Sequence, residues 1–541
     1  MVSGSEQATA SAQNLEAPVR DILRETVRLR RVIIRGVERT RIDFVQSLLD
    51  ASLSEEQNRD SLPPESSRRS LTLEELLERA SLATERLRLT ECFRAVDILI
   101  DESAVPANGE PTAESVPCDA LVTVREAPPF SLRIGTSTDT RTGETALELD
   151  GGFINFTGTG DALHCQLGAG VGGSGFALSS LSSLAALVHP NRYLFAKQTA
   201  TNHLVCGWRK PHPWGLLDAL ATASAESALL NRMDTSSYSE FQRSFEAGLQ
   251  TRFGRFAYEC SWRELGQVAP HASIRVREQA GHSVKSSFKY TWTRDGRDDP
   301  LAPRQGTNAQ WNCELAGLGG DPATRFIRSE LSWQWNVPLT GADGSELVRN
   351  VDDSLAAGDA APSPPERLMP PIVFSVGFQG GMIIPFHQAL AAMKDRKSEH
   401  RAGPRHALRQ TRICDRFFVG GSANAFRGFR NRGLGPSADG DSIGGDVYYK
   451  LGLHLGVPIV TSAVARSLGL QFHTFCAIGD CREWSDAVAW RQSWRMSAGL
   501  GLACCTSLGR FEVNWARILR RGDGDRFDEG FSISFFQSFS P

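Results

Sequence analysis

Two short patterns in the chain have the residue types and spacing to do chemistry. Gly168-Ala169-Gly170-Val171-Gly172-Gly173 fits G-x-G-x-x-G, in which bare backbone can approach a pyrophosphate. That use needs a strand before it, a helix after it and an acidic residue about 20 positions on. Here the run Ser174 to Ser183 is rich in Gly and Ser, and no acidic residue follows the motif until Asp218. A Gly-rich strand or turn is the expectation. Gly440-Asp441-Ser442-Ile443-Gly444 fits the G-x-S-x-G nucleophile elbow, which must sit on a sharp strand-to-helix turn. A Gly- and Asp-rich loop precedes it and Val447-Tyr448-Tyr449 follows as a strand, so Ser442 is expected to be a loop serine. The 11 His are dispersed, with no H-E-x-x-H. The 11 Cys contain no C-x-x-C pair and suit small reduced apolar positions better than a zinc site or disulfide framework. The expectation is a protein that is not an enzyme, with no cofactor and no metal.

A third constellation runs from Asp415 to Lys450, where Arg427-Gly428-Phe429 sits in a Gly-, Asn- and Asp-rich loop between two strand-like segments. The density of Gly argues for a loop packed close to other backbone. A wide polar lumen would let such a loop fold inward. Arg427 would then need a buried acidic partner, because an unpaired guanidinium in a shielded site is costly.

The elements that must hold this loop follow from composition and periodicity. The chain has 541 residues, 41% hydrophobic, with 50 Gly and 28 Phe, which suits β-structure with many turns. The net charge of −3, from 59 basic and 62 acidic residues, gives no global footprint for nucleic acid. The first residues, Met1 to Pro18, lack a basic-then-apolar secretory signal, and no apolar run reaches the length of a transmembrane helix. A mean hydropathy of −0.26 is also what a transmembrane barrel gives, since lipid- and lumen-facing residues alternate.

Residues 1–24 read as a disordered segment and 25–128 as a small α+β module of order β-α-α-β-β. Arg31 to Arg35 reads as a strand. Thr40 to Asp43 fits a capping box ahead of a helix with Phe44, Val45, Leu48 and Leu49 on one face. A second box, Thr72 to Glu75, opens a helix that Leu73, Leu76, Leu77, Ala80 and Leu87 continue at helical spacing. Phe93 to Asp101 and Ala120 to Glu126 close the module as strands. From 129 to 541 the pattern becomes segments of about ten residues, often alternating, separated by Gly, Asn, Asp and Pro. Examples are Phe130–Ser137, Thr145–Phe156, Ala162–Val171, Ser273–Gln279, Val284–Thr293, Ile372–Phe378 and Gly452–Val457. Leu216 to Leu230 reads as a short helix or a loop. The inserts 341–370 and 394–412, the second with seven Lys/Arg, read as loops. An open sheet of this length would expose its edges, and a closed barrel removes them.

The stretch Asp415 to Lys450 resembles the characteristic R-G-F loop of the BamA-type outer-membrane assembly superfamily. Gly420 and Gly421 stand ahead of Arg427, Gly428 and Phe429; Gly433, Gly435 and Pro436 follow; Gly444, Gly445 and Asp446 start the next strand. Ser261 to Gly266, Gly281 to Ser287, Pro303 to Gly306, Glu314 to Gly317 and Gly320-Asp321 resemble the mitochondrial branch, the core barrel of the sorting-and-assembly machinery. The resemblance implies a mostly β protein, an antiparallel transmembrane β-barrel of about 16 strands over 129–541, behind one polypeptide-transport-associated (POTRA) domain over 25–128. It implies residence in the mitochondrial outer membrane as a multi-pass barrel. The implied work is folding and inserting β-barrel precursors through a lateral gate between first and last strands. The first strand would lie near Phe130 to Asp139. The last would hold Gly530, Phe531, Ile533, Phe535 and Phe539, frayed near Pro541, which cannot donate to a ladder. Arg427 is implied to lock the loop inward on an acidic residue of the inner wall, with Asp446, Asp480 and Glu512 as the candidates. Implied partners are porin-type and import-pore-type precursors, metaxin-like helper subunits on the cytosolic face and the lipid bilayer, with no nucleic acid. The alternative is a polypeptide-transporting pore of the same superfamily.

Overall fold

The structure, a computed structural model, describes residues 24–53, 71–102, 116–138, 145–170, 202–317, 324–339, 371–386, 411–421, 426–460, 465, 468–484, 493–506 and 509–536. The G-x-G-x-x-G positions 171–173, both loop inserts except 411–412, Phe539 and Pro541 lie outside them.

The N-terminal module runs β1 (Thr26–Arg35), α1 (Ile42–Leu53), β2 (Leu71–Thr72), α2 (Leu73–Leu89), β3 (Phe93–Glu102) and β4 (Val116–Glu126). Its sheet has the order β2-β1-β4-β3, with β1 parallel to β4 and the other pairs antiparallel. Both helices lie on one face, where Val45, Leu48, Leu49, Leu76 and Leu87 meet Val96, Val122 and Val124. The alternating buried positions of β4 supply the sheet side of that core, as period-two sequence requires. Thr72 accepts from the Glu75 amide and Glu75 reaches back to the Thr72 amide, a capping box that starts α2. Leu77 is 44% exposed, because it lies one helical step off the buried stripe.

The first capping box is a correction. The Thr40 hydroxyl donates to Glu126 Oε1 at 2.8 Å and accepts from Asn155 Nδ2 at 2.8 Å, so it is used to dock segments and not to cap α1. Glu126 is the centre of this corner. Its carboxylate also accepts from the amides of Glu38, Arg39 and Thr40 at 2.9–3.2 Å and from Arg39 Nε at 3.1 Å. Burial opposes ionisation there, but the donors outweigh it and hold the carboxyl down to about 2. A depressed carboxyl contributes stability above its unfolded value, about 4.5, and that contribution is lost as pH falls toward about 2. Glu126→Gln is therefore expected to cost about 2 kcal/mol at neutral pH, read as roughly 30-fold faster hydrogen exchange at amides 38–49 in the full chain. After correction for intrinsic rates, the gap between the two proteins should close between pH ~4.5 and ~2.

Among the described residues from 130 on, the dominant element is one antiparallel sheet of 16 strands. They are β5 (Phe130–Thr138), β6 (Thr145–Ile154), β7 (Ala162–Gly170), β8 (Asn202–Pro211), β9 (Leu220–Arg232), β10 (Tyr238–Thr251), β11 (Gly254–Gly266), β12 (Gly281–Asp295), β13 (Gly306–Ala316), β14 (Phe326–Pro338) and β15 (Val373–Pro385), followed after the long loop by β18 (Val447–Pro458), β19 (Gln471–Arg482), β20 (Arg495–Thr506), β21 (Gly509–Arg520) and β22 (Gly530–Phe536). That loop carries a small hairpin of β16 (Ser437–Ala438) and β17 (Asp441–Ser442). Neighbours in sequence pair throughout, with β15 meeting β18 across the loop.

The sheet is inverted relative to a soluble protein. On β11, Glu259, Ser261 and Arg263 are at most 6% exposed, while Phe256 and Tyr258, which alternate with them, are at least 36% exposed. Aromatic side chains outside and charges inside are what lipid outside and a polar lumen inside select. Among the described residues no helix is long and apolar enough to cross a membrane, which leaves crossing by strands open.

Two further readings are corrected here. Leu220–Arg232 is strand and not a helix or loop: its small alternating residues, Ala221, Ala223 and Ala225, have no apolar helical face to bury, and the ladders to β8 and β10 decide its state. Conversely, the 273–279 segment is a short helix, α4 (Ile274–Arg277), after α3 (Met233–Ser236). Val276 packs into a cluster with Tyr238, Leu265 and Ile413, so this apolar run fills a far-end turn instead of joining the sheet.

Candidate functional site

The loop between β15 and β18 returns into the space enclosed by the sheet. Its side chains touch β11 at one place and β21 at another, so the sheet curls around it. The first contact is Asp415, which accepts a two-point bond from Arg263 of β11, at 2.8 and 3.0 Å. Lys285 of β12 stands 3.8 Å from the same carboxylate and also pairs with Glu259 and Glu314. These charges border a polar lumenal cavity of about 390 Å³.

The second contact is the R-G-F segment. Arg427 Nη2 donates to Glu512 Oε2 at 2.7 Å, and both side chains are at most 1% exposed. Glu512 also accepts from Arg510 Nε at 2.8 Å and Asn514 Nδ2 at 3.0 Å, all from the inward face of β21. The Arg427 guanidinium stands 4.7 Å over the Phe475 ring of β19. Beside this cluster His454 Nε2 and His473 Nδ1 are 2.8 Å apart. Gly428 has φ +92°, a backbone state that favours Gly and turns Arg427 and Phe429 to different neighbours. Phe429 meets Phe426 edge to face at 5.1 Å and joins Phe417, Val419, Leu434 and Ala477 in an apolar cluster under the loop.

The supporting residues all fall on the same loop. Gly421 bridges to Phe426, next to Gly420, and Val419 bridges to Leu434 between Gly433 and Gly435. Gly433 admits no side chain: a Cβ there would stand 2.2 Å from the Arg526 carbonyl. Pro436 O accepts from the Ile443 amide at 3.0 Å, and Gly445 exchanges two backbone bonds with Phe417 just past Gly444. Of the three candidate carboxylates, the structure brings Glu512 to Arg427. Asp446 instead accepts from Thr411 at 2.6 Å and from the Trp484 amide at 3.3 Å. Asp480 accepts from Arg482 at 2.7 Å, from Ser493 at 2.8 Å and from Arg495. Ser442 donates to the Arg432 carbonyl and accepts from Arg526, so its hydroxyl is committed to loop structure. Gly168–Gly170 lie in β7.

At the two ends of the sheet, β5 and β22 carry very exposed apolar side chains: Phe531 is 84% and Ile533 80% exposed, Ile134 70% and Phe130 59%. The outward residues of interior strands, such as Leu331 at 44%, are covered on both sides by neighbours. Among the described residues no ladder joins β5 to β22. Sequence reasoning missed the Arg263–Asp415 pair and the histidine pair, whose only signal was a polar residue at an inward position of an alternating strand.

A family model described as the Omp85 superfamily domain matches residues 155–539. The chain is 29% identical to the human Sorting and assembly machinery component 50 homolog over 50% of each chain. It is 28% identical to the SAM50-like protein SPAC17C9.06 of Schizosaccharomyces pombe, over 47% of this chain and 44% of that one. The chain thus spans about half the length of the curated relatives it matches. Among solved structures, BamA from Haemophilus ducreyi lacking POTRA domains 1–3 aligns with a TM-score of 0.57 at 14% identity, covering 94% of this chain and 85% of that one. That likeness shows the fold alone.

Proposed function

The chain belongs to the Omp85 superfamily, and from that premise we propose that it is the core of a machine that folds and inserts β-barrel precursors into the mitochondrial outer membrane. The observation that carries the reading is the pair of bare sheet ends, β5 and β22, on an otherwise continuous 16-stranded wall. A precursor must enter lipid without exposing unpaired backbone groups. A strand with one free edge offers the missing donors and acceptors by β-augmentation. The seam between β5 and β22 is the lateral gate in this reading, and new hairpins grow on it until the product closes. No nucleotide chemistry is needed, because hydrogen bonds are exchanged and apolar side chains move from one lipid-compatible setting to another. The relatives' names, which speak of sorting and assembly machinery, support the same reading.

The N-terminal POTRA-type module sits at the end where β6–β7 and β8–β9 turn, as Arg86 bonds Asp218 at 3.0 and 3.1 Å and the Arg41 amide bonds the Gly158 carbonyl at 2.8 Å. That end would receive precursors. The R-G-F loop covers the opposite, cytosolic end, where metaxin-like helper subunits would dock. Arg427 on Glu512 is the lock that keeps the loop seated while the seam works.

The test is site-specific photo-crosslinking to a porin-type precursor during import into mitochondria. A probe at Ile533 or Ile134 should capture the precursor's last strand, and one at Leu331 on the closed wall should stay at background. Capture from lumenal positions such as Lys289, with none at Ile533 or Ile134, would show a polypeptide pore and end the insertase reading.

A further inference from the structure

We infer that Asp525 is a positioning residue that fixes the far end of the last strand to the inward loop, making loop and strand one mechanical unit. The starting point is the short last ladder. β22 pairs with β21 only from Phe536↔Arg510 to Gly530↔Ala516. β21 continues to Arg520, still paired with β20 but facing no residue of β22. The chain between them, 521–529, therefore has to satisfy its backbone elsewhere.

It does so on the loop. The Arg430 amide donates to the Arg526 carbonyl at 3.0 Å, the Arg526 amide to Gly433 O at 2.7 Å and the Asp528 amide to Gly428 O at 2.8 Å. Phe429 and Phe527 form an isolated bridge at the centre of this run. The segment leading into β22 is thus paired, backbone to backbone, with the R-G-F segment itself.

Asp525 anchors this join. Its side chain is fully shielded and takes a two-point bond from Arg495, Nε to Oδ2 at 3.0 Å and Nη2 to Oδ1 at 3.1 Å. The same carboxylate accepts from the Gly522 amide at 2.6 Å and the Gly435 amide at 3.4 Å. One group therefore ties the wall at β20, the loop at Gly435 and the connector's own turn. Arg526 next to it reaches across the mouth to the carbonyls of Asp234 at 3.0 Å and Thr235 at 2.7 Å.

The consequence is specific. An edge strand with seven residues and one neighbour frays from whichever end is not held. Past its last ladder pair, Gly530 with Ala516, it is held by the loop, through Asp525, and β21 adds one bond there, from the Ile518 amide to the Glu529 side chain at 3.2 Å. Any unseating of the loop is then transmitted to β22, and peeling of β22 tugs on the loop. The importance of this rests on reading the seam as the working edge; the coupling itself does not, and is measured without a precursor.

The experiment is hydrogen exchange on the full chain in lipid nanodiscs. Asp525→Asn should speed exchange of the β22 amides, 530–534, and of loop amides 426–434 by about tenfold, leaving β11–β14 unchanged. Arg495→Gln, which removes the same bond from the wall side and changes no connector residue, should move the same two segments in the same direction if Asp525→Asn fails to fold. Unchanged exchange in β22, or an equal rise in every strand, overturns the inference. Precursor crosslinking at Ile533 can fail while this coupling holds, so the two readings are separable.

Discussion

Arg427→Ala is expected to lower the stability of the purified chain by about 3–5 kcal/mol and to abolish precursor assembly in mitochondria. The size follows from burial. Arg427 and Glu512 lie at most 1% exposed, so removing the guanidinium leaves a carboxylate in a shielded site with Arg510 and Asn514 as its remaining bonds. The Phe475 ring loses its cation at the same time. Arg427→Lys should recover little, because an ammonium lacks the planar fork and stacks poorly on an aromatic face. The decisive measurement is a double-mutant cycle by thermal unfolding in detergent. Arg427→Ala with Glu512→Gln should cost clearly less than the two single changes summed, since the charge left behind is gone. Additive costs would mean that the two groups do not act as a pair, and the lock would have to be sought elsewhere in the loop.

Asp415→Ala is expected to be nearly as damaging, by about 3–5 kcal/mol, for the same reason with the charges reversed. It strips Arg263 of both bonds in a place where the Arg263 side chain is 5% exposed. Lys285 keeps Glu259 and Glu314 and should suffer less. Replacing both members by apolar residues of similar volume, Arg263→Met with Asp415→Leu, should restore most of the loss, as buried pairs often roughly balance their own desolvation. Unfolding in detergent measures the stability, and assembly by the restored variant separates packing from electrostatics. If Asp415→Ala unfolds like the parent, the 411–418 segment is held by the Tyr238–Val276–Ile413 cluster and by its bonds to Asp446, Gln279, Glu483 and Gly445.

What the sequence alone determined is local and periodic. Short, often alternating segments made β5, β6, β7, β12, β15 and β18 legible, because a wall with lipid on one side and a polar lumen on the other favours period two along each strand. The Thr72–Glu75 box and the helical stripe of α2 were legible because caps and 3.6-residue spacing act within a few residues. The R-G-F loop stood out through its glycines, which meet local demands such as the positive φ of Gly428.

Tertiary structure decided everything that depends on register between distant strands. Glu512 and not Asp446 or Asp480 meets Arg427, since that choice depends on how far the loop descends and which wall residue points inward at that depth. Nothing within reach of Arg427 in the sequence encodes a partner 85 residues away. Leu220–Arg232 became strand because ladders on both sides outweigh the weak preference of alanines, and 273–279 became a helical turn because Val276 had a cluster to fill. The Asp525 join escaped for the same reason: an acidic residue in a short polar connector looks like solvated surface until the fold lays the loop against it.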